Sequence, residues 1–216
     1  MLVLASNSPR RRQLMELGGW TFTLIPADVD ERPLPGEGPG ETVTRLAEAK
    51  ARASAAQAPN PSVVIAADTI VVDGTDMLGK PASAAEAEAM LRRLRGRSHQ
   101  VYTGLAVLRS TDGALYRDCC RTEVPMRDYS DDEMLAYIAS GDPLDKAGAY
   151  AIQHNGFKPV ERLEGCFANV MGLPLCHLKR TLDRLGMPTN KDVPLTCQAA
   201  IEYSCPVYSQ VLRGEM

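Results

Sequence analysis

The chain has 216 residues, of which 44% are hydrophobic and 24% charged, proportions typical of a folded globular protein and not of a disordered or fibrous one. Its length suits one large domain with a substantial core. A formal net charge of -3 at pH 7 supplies no positive field that would attract a nucleic acid, so any phosphate must be bound by local groups.

The first part of the chain predicts strands that alternate with helices. Ser8 followed by Pro9 is a typical helix start, because serine caps free amides and proline suits the first helical position. Residues 32–41 are rich in proline and glycine and predict a loop, either a lid over a site or a plain connector. The predicted elements are a strand at 2–5, a helix at 8–17, a strand at 20–25 and a helix at 42–56.

The rest of the chain predicts one long strand, a hairpin and further helices. Residues 62–72 are the most strand-like segment, an apolar run interrupted only by Asp68 and Thr69. Capping boxes that begin at Ser83 and Ser130 each predict the start of a helix. The predicted elements are a strand at 62–72, a helix at 83–96, hairpin strands at 99–109 and 114–126, and helices at 130–140 and 172–185.

Together these elements predict an α/β protein built around a mixed sheet, because strands first alternate with helices and then pair as a hairpin. No linker divides the chain, so we expect one domain over residues 1–188. Residues 189–216 show no clear periodicity and are treated as a C-terminal tail whose role the sequence leaves open.

The junction between the first strand and the first helix carries Ser6, Ser8 and three consecutive arginines, Arg10 to Arg12. A helix N-terminus has a partial positive charge and free amides, so cations there are locally unfavourable. They become favourable if a phosphate chain docks at this point and takes charge-assisted hydrogen bonds from guanidinium and hydroxyl groups. The alternative is a basic turn that faces solvent.

Asp68 is a carboxylate inside an otherwise apolar strand. Because an unpaired buried charge is costly, such a residue is usually paired, hydrogen-bonded or bound to a metal. We expect Asp68 either to ligate a divalent cation or to accept a proton from an attacking water. A structural aspartate that caps a neighbouring turn is the alternative.

Several isolated charges could serve the same site. Lys80 lies between Gly79 and Pro81, which aim it from a loop, whereas Lys50 lies on a predicted helix and taken singly is typical of a solvated lysine. Neutralising a triphosphate requires several cations and a metal. The remaining candidates are Glu31 and the pair Asp145 and Lys146.

The sequence gives little support for a cysteine or histidine metal site, for a known nucleotide-binding motif or for a membrane segment. No cysteine pair has C-x-x-C spacing, so we expect reduced, mostly buried thiols, and the histidines show no metal-ligand spacing. Neither a P-loop nor a dinucleotide-binding fingerprint is present. The first residues lack a signal-peptide layout and no apolar run reaches the roughly 18 residues of a membrane span, so we expect a cytoplasmic protein without a membrane partner.

A series of short segments in register over residues 2–185 resembles the Maf family of nucleoside triphosphate pyrophosphatases. Each segment alone is weak, but the ordered series is specific. The segments are LASNSPRR at 4–11, RLA with KA at 45–51, ADT at 67–69, LGKP at 78–81, GRSH with YTG at 96–104, DKAGAY with IQ at 145–153, and NV with GLP at 169–174.

The resemblance implies a mixed-sheet fold similar to that of the inosine triphosphate pyrophosphatases, elongated and with two lobes around a cleft. It implies hydrolysis of a nucleoside triphosphate to the monophosphate and pyrophosphate, a divalent cation (magnesium, or manganese or cobalt in its place) and a homodimer. The implied roles are proton acceptor for Asp68, metal ligands for Glu31 and Asp68, and phosphate binding for Ser6, Ser8, Arg10, Arg11, Lys50 and Lys80.

Base preference divides the family. Thr69 after Asp68, together with Gln153, resembles the branch that acts on dTTP and UTP, with Arg10 as a further specificity residue. Phe157 and Lys158 with the segment 161–165 resemble the branch that prefers 7-methyl-GTP, which is therefore an alternative. The sequence is also compatible with a non-catalytic, nucleotide-binding inhibitor of cell division and with a phosphatase that releases single phosphates.

Overall fold

A computed structural model describes residues 1–215 and contains six strands and eight α-helices within that range. Met216, the last residue of the predicted tail, lies outside the described residues. The elements are β1 (Leu2–Leu4), α1 (Pro9–Leu17), β2 (Phe22–Leu24), α2 (Pro39–Ala55), β3 (Val63–Asp73), β4 (Asp76–Leu78), α3 (Ala84–Leu94), β5 (Ser98–Arg109), β6 (Leu115–Pro125), α4 (Asp131–Ala139), α5 (Phe167–Met171), α6 (Leu175–Arg184), α7 (Val193–Ala200) and α8 (Tyr208–Arg213).

All six strands belong to one mixed sheet with the order β2-β1-β3-β5-β6, and β4 pairs with β3 beside this path. β1 runs parallel to β2 and β3, whereas β3, β5 and β6 are successively antiparallel. The predicted α/β class, the long strand and the hairpin are therefore confirmed. The hairpin closes at Asp112 and Gly113, where the positive φ of 70° favours glycine.

The middle of β3 is open on one side, and this opening positions the site. Residues 63–65 of β3 pair with β1, and residues 71–73 pair with β4. On that side no strand of the described chain pairs with residues 66–70, although β5 pairs with them on the other side. β3 thus passes from a lobe that contains β1 and α2 to a lobe that contains β4 and α3, and Asp68 lies between them.

Helix α2 packs unusually close to the sheet because of one glycine. A Cβ atom on Gly104 of β5 would lie 2.4 Å from the backbone carbonyl carbon of Val43, so only glycine fits there. Gly104 is the cross-strand neighbour of Asp68 in β3. The close approach therefore brings the buried side of α2 next to the carboxylate.

Of three predicted helix starts, those of α2 and α3 differ from the prediction in detail and that of α4 agrees with it. Helix α2 begins at Pro39, inside the predicted loop, because the Glu41 carboxylate accepts a hydrogen bond of 2.9 Å from the amide of Gly38. The capping box of α4 is complete. At α3 the Ser83 hydroxyl accepts from the amide of Glu86, but the Glu86 carboxylate accepts from Ala82 and not from Ser83.

The segment without visible periodicity folds into α7 and α8. These helices have eight and six residues, too few turns to display an amphipathic pattern. Val193 and Cys197 nevertheless join the main core, and Thr189 donates a hydrogen bond of 2.8 Å to the carbonyl of Gly18. The domain boundary at residue 188 stays a prediction.

The described chain contains no helix that is both long and apolar enough to cross a bilayer. All six cysteines are free thiols, and four of them are buried, as the sequence predicts.

Candidate active site

A cavity of about 430 Å³ opens where the two lobes meet, beside the open middle of β3. It is lined by the β1–α1 turn, α2, β3, the β4–α3 loop and residues 145–153. The structure brings every residue with a predicted role to this one cavity: Ser6, Ser8, Arg10, Arg11, Glu31, Lys50, Asp68, Thr69, Lys80 and Gln153.

Lys50 lies between two carboxylates of the cavity. Its Nζ is 2.5 Å from Asp68 Oδ1 and 2.5 Å from Glu31 Oε1. Lys50 is only 8% exposed, so the sequence-based interpretation as a solvated lysine is wrong. The signal was the helical spacing, because Val43, Leu46 and Lys50 lie on the same buried stripe of α2.

Glu31 is the more exposed of the two carboxylates. Partial burial alone would raise the pKa of Glu31, but the hydrogen bond and the charge of Lys50 outweigh it, and Lys80 and Arg11 add to their effect. The pKa of Glu31 is therefore lowered from its ordinary value of 4.5. The carboxylate is ionised at neutral pH and holds the irregular segment before α2 over the cavity.

The β1–α1 turn is shaped by its serines. The Ser8 hydroxyl caps α1 by accepting from the amide of Arg11, as predicted, and the Ser6 hydroxyl accepts from the amide of Ser8 at 3.1 Å. Both hydroxyls thus organise the turn whose first helical residues line the cavity. Arg12 is exposed and does not line it.

Arg11 contacts three separate parts of the chain. Its Nε donates to the carbonyl of Gly172 at 2.8 Å, and its two terminal nitrogens donate to Thr69 Oγ1 at 3.1 Å and Ser6 Oγ at 3.4 Å. Burial lowers the pKa of Arg11 despite the opposing charge of Asp68. Three of its five N–H groups are therefore occupied by the protein, which leaves two for a ligand.

A chain of hydroxyl groups continues from Arg11 behind the cavity. Thr69 Oγ1 lies 2.9 Å from Thr103 Oγ1, and Thr103 donates to the carbonyl of Asn169 at 3.0 Å. Because the Thr103 proton is used on that carbonyl, the Thr69 hydroxyl must donate to Thr103 while it accepts from Arg11. Thr103 and Asn169 were not assigned roles from the sequence, although the hairpin register places Thr103 directly opposite Thr69.

Two cations on the cavity wall are less constrained. Arg10 Nη1 has one ion pair, at 3.4 Å to Asp145 Oδ2. Lys80 is exposed, and no acidic group among residues 1–215 forms an ion pair with it. These side chains can turn toward an anionic ligand at little cost in lost contacts.

Gln153 presents an unsatisfied polar atom at the cavity wall. Its Oε1 is buried and has no hydrogen-bond partner within the described chain. An orphaned buried acceptor is costly unless a ligand donates to it.

The acidic groups of the cavity suit magnesium only in part. The Glu31 and Asp68 carboxylates both contact one Lys50 nitrogen, so they lie within reach of a shared cation, and oxygen ligands are what magnesium prefers. Among residues 1–215 no group of three or more His, Cys, Asp or Glu side chains is arranged to hold a metal. Since magnesium commonly takes one or two carboxylates together with substrate phosphates, the donor set fits a metal that binds with a phosphorylated ligand.

Comparison with a family model covers every residue that lines this cavity. The family model described as Maf-like protein matches residues 1–185, which include all ten residues with a predicted role. The chain belongs to the Maf family. Helices α7 and α8 lie beyond the residues that the family model matches.

Relatives of this Maf protein carry names of nucleotide hydrolases. It is 47% identical to the dTTP/UTP pyrophosphatase of Citrifermentans bemidjiense over 86% of this chain and 95% of the relative. It is 48% identical to the dTTP/UTP pyrophosphatase of Myxococcus xanthus over 87% and 94%. Among solved structures, a nucleoside-triphosphatase / dITP/XTP pyrophosphatase from Mycobacterium abscessus is similar at a TM-score of 0.40, with 13% identity over 85% of this chain and 97% of that one.

Proposed function

We propose that this protein is a nucleoside triphosphate pyrophosphatase that hydrolyses dTTP and UTP to the monophosphate and pyrophosphate. The observation that carries the proposal is the Asp68 carboxylate, held by Lys50 in the gap of β3, with Arg10 and Lys80 on the walls of the same cavity. The names of the relatives at 47% and 48% identity support the choice of reaction and substrate.

The proposed reaction uses one proton acceptor and a set of cations. Asp68 accepts the proton of a water that attacks the α-phosphorus. Arg10, Lys80 and the N-terminus of α1 stabilise the negative charge that gathers on the departing pyrophosphate. Arg11 and Lys50, which the protein already holds in place, supply fixed positive charge behind them.

Glu31 and Asp68 are the residues that would hold a divalent cation, magnesium or else manganese or cobalt. When bound, such an ion neutralises phosphate charge and makes a coordinated water more acidic. The role of Lys50 is to keep both carboxylates at the cavity before the nucleotide and its cation arrive.

Gln153 is the residue proposed to recognise the base. Uracil and thymine present an N–H donor next to a carbonyl acceptor, and a glutamine amide offers the matching acceptor and donor. The unsatisfied Oε1 of Gln153 supports this role, because a base N–H would supply its missing hydrogen bond. Thr69 contributes indirectly, since its hydroxyl is engaged by Arg11 and Thr103. A direct specificity role for Arg10 stays a prediction.

We also propose, from the sequence expectations above, that the enzyme acts in the cytoplasm as a homodimer. Gel filtration with light scattering would test the dimer.

The proposed reaction is tested by its products. The purified protein is incubated with magnesium and separately with dTTP, UTP, CTP, GTP and 7-methyl-GTP, and products are resolved by ion-exchange chromatography. We expect monophosphate and pyrophosphate, fastest from dTTP and UTP. Release of diphosphate and single phosphate would indicate a phosphatase, cleavage of 7-methyl-GTP alone would indicate the second branch of the family, and binding without turnover would indicate a sensor.

A further inference from the structure

The backbone that carries Gln153 is contacted by one buried tyrosine. Tyr137 on α4 is 3% exposed, and its hydroxyl accepts a hydrogen bond of 3.0 Å from the amide of Ala151. The ring of Tyr137 stacks on Phe157 with 4.4 Å between centroids and meets His154 edge-on at 4.7 Å. One side chain therefore contacts the segment on both sides of Gln153.

The hydrogen bonds at Tyr137 have only one possible direction. The amide of Ala151 can only donate, so the hydroxyl proton of Tyr137 goes to Asp142 Oδ2, at 2.6 Å. Burial first, and then the bond to Asp142, raise the pKa of Tyr137 well above its ordinary value of 10. The hydroxyl therefore stays protonated at physiological pH, and both of its hydrogen bonds keep their direction.

From Asp142 the polar contacts continue to the phosphate side of the cavity. Lys146 Nζ donates to Asp142 Oδ1 at 2.9 Å and to Asp145 Oδ1 at 2.5 Å. Asp145 Oδ2 accepts from Arg10 Nη1 at 3.4 Å. Lys146 is 6% exposed, so little water competes for the centre of this chain of contacts. One polar network thus joins the segment of Gln153 to Arg10.

We propose that Tyr137 is a positioning residue for base selection, which fixes the backbone at Ala151 and thereby places the Gln153 amide at a defined position relative to Arg10. Within residues 1–215 the Gln153 side chain makes no hydrogen bond of its own, so its placement depends on the backbone that carries it. The inference rests on the proposed function in one respect, the assignment of Gln153 to the pyrimidine edge.

The test uses two matched tyrosine variants. Tyr137→Phe removes the hydroxyl and keeps the stacked ring. Tyr129→Phe is the control, because Tyr129 is 1% exposed and its hydroxyl donates at 2.7 Å to the carbonyl of Leu91, away from the cavity. Each variant loses one buried hydroxyl, which makes two hydrogen bonds in Tyr137 and one in Tyr129, so a general loss of stability affects both of them.

The readout is selectivity between UTP and CTP, which differ only at the edge that the amide would read. Affinities are measured by calorimetry in EDTA, so that the result does not require turnover, with inorganic triphosphate as a ligand that has no base. We expect the wild type to prefer UTP, and we expect Tyr137→Phe to reduce the ratio of UTP affinity to CTP affinity about tenfold. The reason is that misplacing a binding group by a fraction of an ångström weakens its hydrogen bonds. Affinity for inorganic triphosphate should not change, and Tyr129→Phe should keep the wild-type preference.

Three results would overturn the assignment: an unchanged preference in Tyr137→Phe, an equal loss in both variants, or no preference in the wild type. Failure of the proposed function gives a different result. Binding selectivity would then shift as expected in Tyr137→Phe, while the wild type with magnesium released no pyrophosphate from UTP.

Discussion

Lys50 Nζ lies 2.5 Å from Asp68 Oδ1 at the one stretch of β3 that lacks a second strand neighbour in the described chain. The gap exposes the carboxylate to a cavity, and the ammonium group compensates its charge. Burying the Asp68 carboxylate or the Lys50 ammonium group alone would be strongly unfavourable, so each charge offsets the cost of burying the other. Because Glu31 contacts the same ammonium group, Lys50 keeps a carboxylate partner even if the Asp68 carboxylate is removed.

Asp68→Asn should lower the turnover number by about a hundredfold or more and spare the fold. An amide cannot accept the proton of water, and loss of such a group typically costs about a hundredfold to ten-thousandfold in rate. Lys50 keeps Glu31 as a partner, so thermal unfolding should change little. Pyrophosphate release and circular dichroism melting are the measurements.

The matched control for that variant is Asp73→Asn on the same strand. Asp73 is 5% exposed and pairs with Arg93 at 2.5 Å and Arg97 at 3.1 Å, outside the cavity. It should lose about 1–3 kcal/mol of stability and keep its turnover number. Full activity in Asp68→Asn, or equal loss in both variants, would contradict the assigned role of Asp68.

Lys80→Met should raise the KM for dTTP without affecting stability. The side chain is exposed and forms no ion pair within residues 1–215, so the free energy of unfolding should stay within about 0.5 kcal/mol. Losing one charge-assisted phosphate contact should raise KM about tenfold, and kcat should fall as well because Lys80 also stabilises the charge on the departing pyrophosphate. Lys191→Met, another exposed lysine that does not line the cavity, should leave KM, kcat and stability unchanged. An unaltered KM in Lys80→Met would argue against a phosphate contact.

Thr69→Val and Thr69→Ser should distinguish the contribution of the Thr69 hydroxyl to stability and catalysis from that of its methyl group. Valine removes one of the three acceptors of Arg11 and the donor to Thr103, and we expect a loss of about 1–3 kcal/mol in stability together with a lower kcat/KM. Serine keeps both hydrogen bonds and should stay close to wild type. Urea unfolding and steady-state kinetics measure the difference, and similar behaviour of the two variants would count against the hydroxyl network.

His99 should make the protein less stable in mild acid. It is 2% exposed, and burial lowers its pKa from 6.5 to about 4, although the charge of Asp73 opposes this effect. As pH falls below 6.5, His99 binds a proton in the unfolded chain but not in the folded protein. The free energy of unfolding therefore decreases until about pH 4, where the folded protein binds the proton as well. The contribution that is lost is about 3 kcal/mol, at about 1.4 kcal/mol for each unit of pKa.

Urea unfolding of the wild type and of His99→Gln at several pH values measures this contribution. The stability of the wild type relative to the variant should decline between pH 6.5 and 4, the two pKa values of the group. Parallel pH profiles would show that His99 is not the group responsible.

Much of the site could be predicted from the sequence because its parts are local. The strand-to-helix junction with Ser8 and Pro9 and the polar interruption of an apolar strand at Asp68 depend on neighbouring residues. The resemblance of the ordered segments to the Maf family implied the other roles, and all ten residues with predicted roles line one cavity. Alternation of apolar residues and capping side chains likewise determines where strands and helices begin. These features act over a few residues, which is the range that periodicity and capping describe.

Only the tertiary structure decided which atoms each side chain contacts. Arg11 reaches Gly172 and Tyr137 reaches Ala151 across segments that are distant in sequence or belong to irregular structure, and no periodic pattern encodes such hydrogen bonds. The burial of Lys50 follows from the packing of α2 against Gly104, an approach that exists only once the sheet has formed. Long-range contacts depend on how the whole chain closes on itself, so the residues of this site followed from the sequence, whereas their hydrogen-bond partners followed from the fold.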